Sequence, residues 1–253
     1  MMRRLLLLAV LLLTPAPLLA QGRTFDGTDD ELRSADNALA SLNNAQKSVS
    51  FWITIPSAPG GLQGIVAGLR SNTPAPGWWI LSANAPASAG WRVGYDIDWS
   101  TDGSWISADI TAAARHHIVV TYDRGATTND PVIYVDGTSV TVTENVAPVG
   151  TVGGGDDTIK IGELDDDSGD LSGTLSHLAI AVGDLWDAAE INRARWWGRP
   201  HGGLLVYHPF VTPKLDDEGS AAETLTATGS VMAAFVTPVV RPGSALLGGV
   251  LGW

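Results

Sequence analysis

The strongest constraint on the fold of this chain is a two-residue alternation of apolar side chains. Between residues 91 and 99 every second residue is apolar, and residues 48–55 alternate in the same way. Successive side chains of a strand point to opposite faces of a sheet, so this period indicates strands with one buried face. Further strand-like segments occur at 64–69, 78–82, 116–122, 158–162, 174–182 and 204–211. Together they predict an all-β fold.

Asp-Gly dipeptides at 102–103 and 136–137 mark tight turns between such segments. Both residue types tolerate the positive φ that a two-residue hairpin loop requires. Used as a two-residue loop, the first dipeptide pairs Trp99 with Ile106 on the core side. Trp105 then lies on the opposite, solvent-facing side of the sheet.

One short helix is predicted near residues 188–197. Asp187, followed three residues later by Glu190, forms a capping box, in which each side chain satisfies a backbone N–H at the start of a helix. Ile191 and Ala194 continue an apolar stripe toward Gly198. We therefore expect a single helix among the strands.

Composition excludes several classes of function. The formal net charge is −12 at pH 7 and Lys and Arg form no cluster, so a nucleic-acid-binding surface is not expected. The chain has no cysteine, which excludes disulfides and thiolate metal sites. Hydrophobic residues make up 45% of the chain, which is enough to form a core without such cross-links.

The first twenty residues have the pattern of an export signal. Arg3 and Arg4 precede an apolar run at 5–13, a proline-containing break follows, and cleavage is expected after Ala20. The run is too short to span a membrane, which takes about 20 residues. We therefore expect a secreted protein, extracellular or displayed on a cell or virion surface, with no membrane span after cleavage.

Four motifs follow one another in order along the chain. They are FDGTDD at 25–30, HHIVVTYD at 116–123, IYVDG at 133–137 and GTL at 173–175 before the helix. This order resembles that of laminin-G-like domains of the concanavalin A-like lectin/glucanase superfamily, of the kind found in bacteriophage and bacterial surface proteins. The resemblance implies a two-sheet antiparallel jelly-roll sandwich at 21–211, between a signal peptide at 1–20 and a C-terminal extension at 212–253. The extension is expected to form a hairpin and an apolar docking tail.

Two positions depart from the pattern of that family. Arg115 stands where the family usually has Trp, and Ser-His at 176–177 stands where it usually has Asp-Glu. In relatives those acids often help to hold a structural calcium ion, so the resemblance implies no required cofactor here. Asp26 and Asp29, with the aspartates at 165–167, still leave a structural calcium ion open.

The chain lacks the catalytic residues that enzymes of this fold use. Glycosidases of the sandwich place two Glu in an E-x-D-x-E arrangement, and the nearest match, ELDDD from Glu163, lacks the second Glu. Its Asp- and Gly-rich loop predicts solvated carboxylates with unshifted pKa values. No G-x-S-x-G motif occurs, and no two histidines have the spacing of a zinc site. We therefore expect no catalytic residues and no enzyme activity.

Ten tryptophans point to sugar binding. Sugars commonly stack on an aromatic face while carboxylates accept hydrogen bonds from their hydroxyls. The predicted hairpin register gathers such a set, and the predicted ligand-binding residues are Trp105, Asp96, Asp98 and Arg92. A core position is an equally open interpretation of Trp105, and it is the expected one for Trp52, Trp91, Trp99 and Trp196.

Two functions remain open on these grounds. The first is a non-catalytic carbohydrate-binding or adhesion module whose partner is a glycan or polysaccharide. The second is a structural subunit of an extracellular assembly, such as a virion decoration or tail protein, that self-associates through its apolar end at 245–253. A glycoside hydrolase is a third, more distant alternative because the carboxylate pair is missing.

Overall fold

Two antiparallel sheets build the protein in the computed structural model, which describes residues 22–35, 39, 42, 45–70, 76–85, 89–152, 156–164, 169–197, 204–210, 225–228 and 232–234. These residues belong to one compact unit, 20–235; a second unit, residues 1–19 and 236–253, lies outside the described part. The elements are β1 (Gly22–Asp26), β2 (Glu31–Arg33), β3 (Gln46–Thr54), β4 (Gln63–Arg70), β5 (Pro76–Asn84), β6 (Trp91–Ile97), β7 (Trp99–Thr101), β8 (Gly103–Ser107), β9 (Arg115–Asp123), β10 (Val132–Val135), β11 (Thr138–Ser139), β12 (Val142–Val146), β13 (Val149–Val152), β14 (Asp156–Ile161), β15 (Ser172–Val182), α1 (Ala188–Trp197), β16 (Leu204–His208), β17 (Thr226–Thr228) and β18 (Met232–Ala234).

The strand order confirms the two-sheet jelly-roll sandwich. Sheet A has the order β11-β10-β9-β3-β15-β1-β18, with β16 beside the second half of β15. Sheet B has the order β12-β8-β6-β5-β4-β14-β2-β17, and β7 pairs with β13 in a separate ribbon. No helix in the described ranges is long and apolar enough to cross a membrane.

The facing sides of the two sheets form one continuous core. Sheet B contributes Trp78 and Trp91, and sheet A contributes Phe51 and Ile118, all with 0% exposure. The helix α1 covers the other face of sheet A, where it packs on residues such as Ala179. Only sheet B therefore has an outer face with no helix of the described chain on it.

Two local predictions are confirmed. Asp136 and Gly137 have φ values of 52° and 83° between β10 and β11, as a two-residue hairpin loop requires. At the start of α1, Asp187 Oδ1 accepts hydrogen bonds from the backbone N–H groups of Ala189 and Glu190. The Glu190 carboxylate accepts the Asp187 N–H at 2.9 Å, which completes the capping box.

The predicted register of the hairpin that follows β6 was wrong. In the pairing of β6 with β8, Tyr95 lies opposite Trp105 and Ile97 lies opposite Gly103. The intervening strand β7 pairs with β13 instead. The connection is therefore longer than two residues, and the shift reverses which side chains face the core. Trp105 is buried, with 1% exposure, and its indole N–H donates to Asp130 at 2.9 Å.

Two strands of the C-terminal extension lie in different sheets. Strand β17 pairs with β2 in sheet B, whereas β18 pairs with β1 in sheet A, so these two strands do not form a hairpin with each other. The apolar end at 245–253, the predicted signal peptide at 1–20 and the aspartates at 165–167 lie outside the described residues.

Replacing Trp105 by Ala should destabilise the fold by about 3–5 kcal/mol, because it leaves a cavity between the sheets. Urea unfolding monitored by circular dichroism measures the change. The matched control is Trp196→Ala: this side chain is 71% exposed, and its loss should cost no more than about 0.5 kcal/mol. Equal effects of the two substitutions would contradict the core position of Trp105.

Candidate functional site

A single row of side chains crosses the outer face of sheet B. Cross-strand pairing links its members in the order Ser104, Asp96, Trp79, Ala67, Lys160 and Arg33. Neighbouring strands lie about 4.8 Å apart, so the row spans roughly 24 Å. Ala67 and Lys160 in the middle of the row are buried, with 4% and 3% exposure, so the partly exposed side chains that lie next to one another are Trp79, Asp96 and Ser104.

The first part of the row is an aromatic–carboxylate group. Trp79, Asp96 and Ser104 are all partly exposed. The Ser104 hydroxyl and the Trp79 indole N–H both donate to the Asp96 carboxylate. Burial raises the pKa of Asp96; these two hydrogen bonds offset part of the rise, and the negative charge of Asp102 adds to it. The carboxylate is therefore held beside the indole ring.

Apolar residues lie next to this group. Leu81, Gly94 and Ile106 are cross-strand neighbours in the adjacent row of the same face. Leu81 is buried, with 3% exposure, and its side chain fills the space beside Gly94, so Ile106 is the partly exposed apolar side chain of this row. We call the partly exposed residues Trp79, Asp96, Ser104 and Ile106 the Trp79 patch.

Trp79, and not Trp105, supplies the aromatic ring on this face. A buried Trp105 cannot stack on a ligand in this conformation. Trp78 and Trp79 are adjacent in β5, so one of them has to point outward, and the pairing of Trp78 with Ile97 turns Trp78 into the core. The Trp-Trp dipeptide at 78–79 is the sequence signal that indicates this outward ring.

The remaining predicted residues lie on or near the same face. Asp96 is part of the Trp79 patch, and Arg92 is on the same side of β6, where its Nε forms an ion pair with Asp109. Asp98 follows the end of β6, and its backbone N–H donates to the carbonyl of Gly77 at 2.9 Å. Their role in ligand binding stays a prediction.

A buried ion cluster occupies the second part of the row. The Lys160 ammonium lies 3.2 Å from Glu31 Oε2 and 3.2 Å from Glu163 Oε2, and it donates to the carbonyl of Leu164 at 2.9 Å. Burial raises the pKa of Glu163 to about 7; Lys160 opposes the rise and the Glu31 carboxyl adds to it. The prediction of a solvated carboxylate with an unshifted pKa was wrong for Glu163.

A shallow cavity opens where the row ends. Its volume is about 340 Å³, and it is lined by Glu31, Arg33, Ser34, Ala35 and Thr226. Four of these five residues are polar or charged. The row therefore runs from an aromatic patch to a charged end.

The raised pKa of Glu163 has a consequence for stability. The folded protein holds this proton more tightly than the unfolded chain, where the pKa is 4.5, so stability should fall as pH rises from about 4.5 to about 7. Glu163→Gln should remove this part of the pH dependence, as measured by melting temperature across that range. The control is Glu144→Gln on β12, an exposed position that should leave the dependence unchanged. An identical pH profile for both variants would contradict the assignment.

Three carboxylates near the end of β1 could hold a cation. One oxygen each of Asp26, Asp29 and Asp30 lies within 4.8 Å of the others. Asp30 is 1% exposed; its Oδ2 accepts the Asp26 N–H at 2.7 Å, and its Oδ1 has no hydrogen-bond partner among the described residues. Burial raises the pKa of the nearby Asp170, and the charges of Asp29 and Asp26 also raise it. Oxygen ligands of this kind suit Ca²⁺.

If calcium binds here, it should raise the melting temperature relative to the protein in chelator, because the ion stabilises only the folded state. Asp30→Asn should abolish the calcium effect, while Asp184→Asn, at a partly exposed aspartate after β15, should retain it. Scanning calorimetry with and without Ca²⁺ tests this. The same melting temperature in calcium and in chelator would remove the site.

Known proteins resemble the chain over most of its length. The family model described as the concanavalin A-like lectin/glucanases superfamily matches residues 26–191. The heptameric SAP-like pentraxin of Limulus polyphemus has a TM-score of 0.62 at 14% identity, over 87% of this chain and 97% of that one. A putative carbohydrate-binding protein of Bacteroides ovatus has a TM-score of 0.58 at 11% identity, over 88% of this chain and 63% of that one. No curated protein matches. At these identities the likeness to the solved structures shows the fold.

Proposed function

Because the chain belongs to the concanavalin A-like lectin/glucanase superfamily, we propose that it is a non-catalytic carbohydrate-binding module that holds a glycan on the outer face of sheet B. The observation that carries the proposal is the Trp79 patch, where a partly exposed indole, a carboxylate and a hydroxyl lie beside the partly exposed apolar side chain of Ile106. The similar protein of Bacteroides ovatus is named a putative carbohydrate-binding protein, which agrees with this proposal.

The chemistry of a sugar matches both halves of the patch. A pyranose ring has a face of C–H groups that packs on an indole such as Trp79, and its hydroxyls donate to a carboxylate such as Asp96. Ile106, which is partly exposed, extends the apolar contact. The ligand class is therefore a neutral or hydroxyl-rich oligosaccharide.

The ion cluster argues against hydrolysis at this face. The carboxylates of Glu31 and Glu163 lie close together beside Lys160. Both contact the Lys160 ammonium, and they hydrogen-bond each other. A retaining glycosidase instead keeps two carboxyl groups about 5 Å apart with the sugar bond between them. We assign the cluster a structural role that anchors the loop after β14.

Secretion and adhesion are part of the proposal and depend on the predicted signal peptide at 1–20. The alternative, a structural subunit of an extracellular assembly that self-associates through 245–253, also stays a prediction. The edge strand β12 of sheet B and the neighbouring β13 favour this alternative, since Val146 and Val149 are 44% and 57% exposed.

The test is glycan binding by the wild-type chain and by Trp79→Ala. A glycan array followed by calorimetry should identify an oligosaccharide that binds wild type, and Trp79→Ala should weaken it by about tenfold or more, since stacking on one indole contributes of the order of 1.4 kcal/mol. Leu185→Ala, which removes an exposed apolar side chain just before the helix α1, should bind as wild type does.

An unchanged melting temperature of Trp79→Ala would show that the loss comes from the site and not from unfolding. Either the absence of binding to a broad panel, or equal binding by Trp79→Ala and wild type, would overturn the proposal.

A further inference from the structure

A second cluster of functional groups lies on the outer face of sheet A, at the start of β9. Cross-strand pairing places Trp52 between Ser176 and His117. The Arg115 guanidinium lies 4.8 Å from the centroid of the Trp52 ring, and its Nη2 donates to Ser176 Oγ at 2.8 Å. The rings of Trp52 and His117 are 5.2 Å apart. Arg115 is thus held in place by a stacking contact and a hydrogen bond.

Two histidines of this cluster have buried nitrogens without partners. His177 lies at a bulge in β15 with a φ of 53°. Its backbone N–H donates to the carbonyl of Pro209 at 3.1 Å. The Nδ1 atoms of His117 and His177 are buried and have no hydrogen-bond partner within the described ranges. A buried ring nitrogen normally has a hydrogen-bond partner, because leaving it without one costs free energy.

Both imidazoles are neutral at physiological pH. Burial lowers the pKa of His117 to about 3, where Asp136 opposes the shift and Arg195, His177 and Arg115 add to it. Burial and the charge of Arg115 lower the pKa of His177 to about 4. A neutral imidazole can present Nδ1–H as a donor.

Positive charge dominates the surroundings of the two rings. Arg195 reaches the cluster from α1 and stacks on Trp196 at 5.0 Å; Trp196 was expected in the core but is 71% exposed. The carboxylate that faces the cluster, Asp136, already contacts the N–H of His117 at 3.0 Å and His116 Nδ1 at 2.8 Å. Two guanidinium groups, those of Arg115 and Arg195, therefore lie near His117, whereas the one carboxylate there already has other partners.

From this arrangement we infer a second binding site, for an oxyanion such as a carboxylate or sulfate group, between Arg115 and Arg195. The guanidinium fork matches the oxygens of such a group, and the two imidazole Nδ1–H groups offer further donors. A cation is disfavoured because two guanidinium groups repel it. Trp52 and Trp196 flank the arginines with flat rings, so an acidic sugar is the larger ligand that fits this chemistry. The site is independent of the Trp79 patch.

The test follows the histidine side-chain ¹⁵N resonances of the full chain during titration with sodium sulfate, sodium acetate or sodium glucuronate, with chloride replaced at constant ionic strength. We expect saturable shifts of the His117 and His177 Nδ1 signals. Arg115→Gln should weaken the binding by about tenfold or more, which corresponds to ~1.4 kcal/mol. Arg124→Gln, at an arginine that follows the opposite end of β9, should leave it unchanged.

A second variant covers the case in which Arg115→Gln does not fold. Arg115→Lys keeps the charge but loses the planar fork, so its binding should lie between that of wild type and none. Tighter binding of glucuronate than of sulfate would identify an acidic sugar as the ligand, and equal binding would identify the free anion. The inference is overturned if wild type shows no saturable shift, if Arg115→Gln binds as well as wild type, or if Zn²⁺ shifts the same nitrogens and the anions do not.

Discussion

A cluster of three aromatic rings between the two sheets determines how the rest of sheet B is arranged. The rings of Tyr95, Trp105 and Tyr122 contact one another, with centroids 5.2–6.2 Å apart, and Tyr122 comes from the opposite sheet. Once this trio occupies the core, strict alternation forces Asp96 and Ser104 onto the outer face. Trp79 joins them because β5 pairs with β6 in the same register.

The sequence was sufficient for the features that depend on local pattern. The alternation of residues 48–55 and 91–99, the capping box at Asp187 and the turn at 136–137 each require only neighbouring residues, and all four are found in the structure. The family motifs then supplied the arrangement of these elements into two sheets, which alternation alone leaves open.

The register between β6 and β8 could not be predicted in the same way. A register shift by an odd number of residues changes which side chains face the core, and the local pattern is equally consistent with odd and even shifts. Trp99 and Trp105 are both good core residues, so a hairpin drawn at Asp102 looked consistent. What decides the matter is the ribbon of β7 and β13, in which Thr101 pairs with Val149. That contact is distant along the chain, and short strands such as β13 carry too few residues to show a period.

Long-range contacts also explain why the charged groups were misjudged. Glu163 looked like part of an acidic, solvated loop, yet Lys160 on one side and Glu31 from another strand enclose it. The pKa of a carboxyl depends on how far water is excluded around it and on the charges nearby, and neither is visible in the local sequence. The same reasoning applies to the histidines of sheet A.

We explain the two departures from the family pattern as a single change in local charge. Arg115 replaces the usual Trp, and Ser176 replaces an acid on the neighbouring part of sheet A; in the structure the two side chains hydrogen-bond to each other. An acid and an indole would form a negative, cation-favouring position, whereas a guanidinium beside a hydroxyl and two neutral imidazoles forms a positive one. With a formal net charge of −12, the chain gains nothing in solubility from a partly buried cation there. Burying a guanidinium costs solvation free energy, which a ligand of opposite charge recovers. The change of charge in this part of sheet A is therefore better explained by binding than by folding.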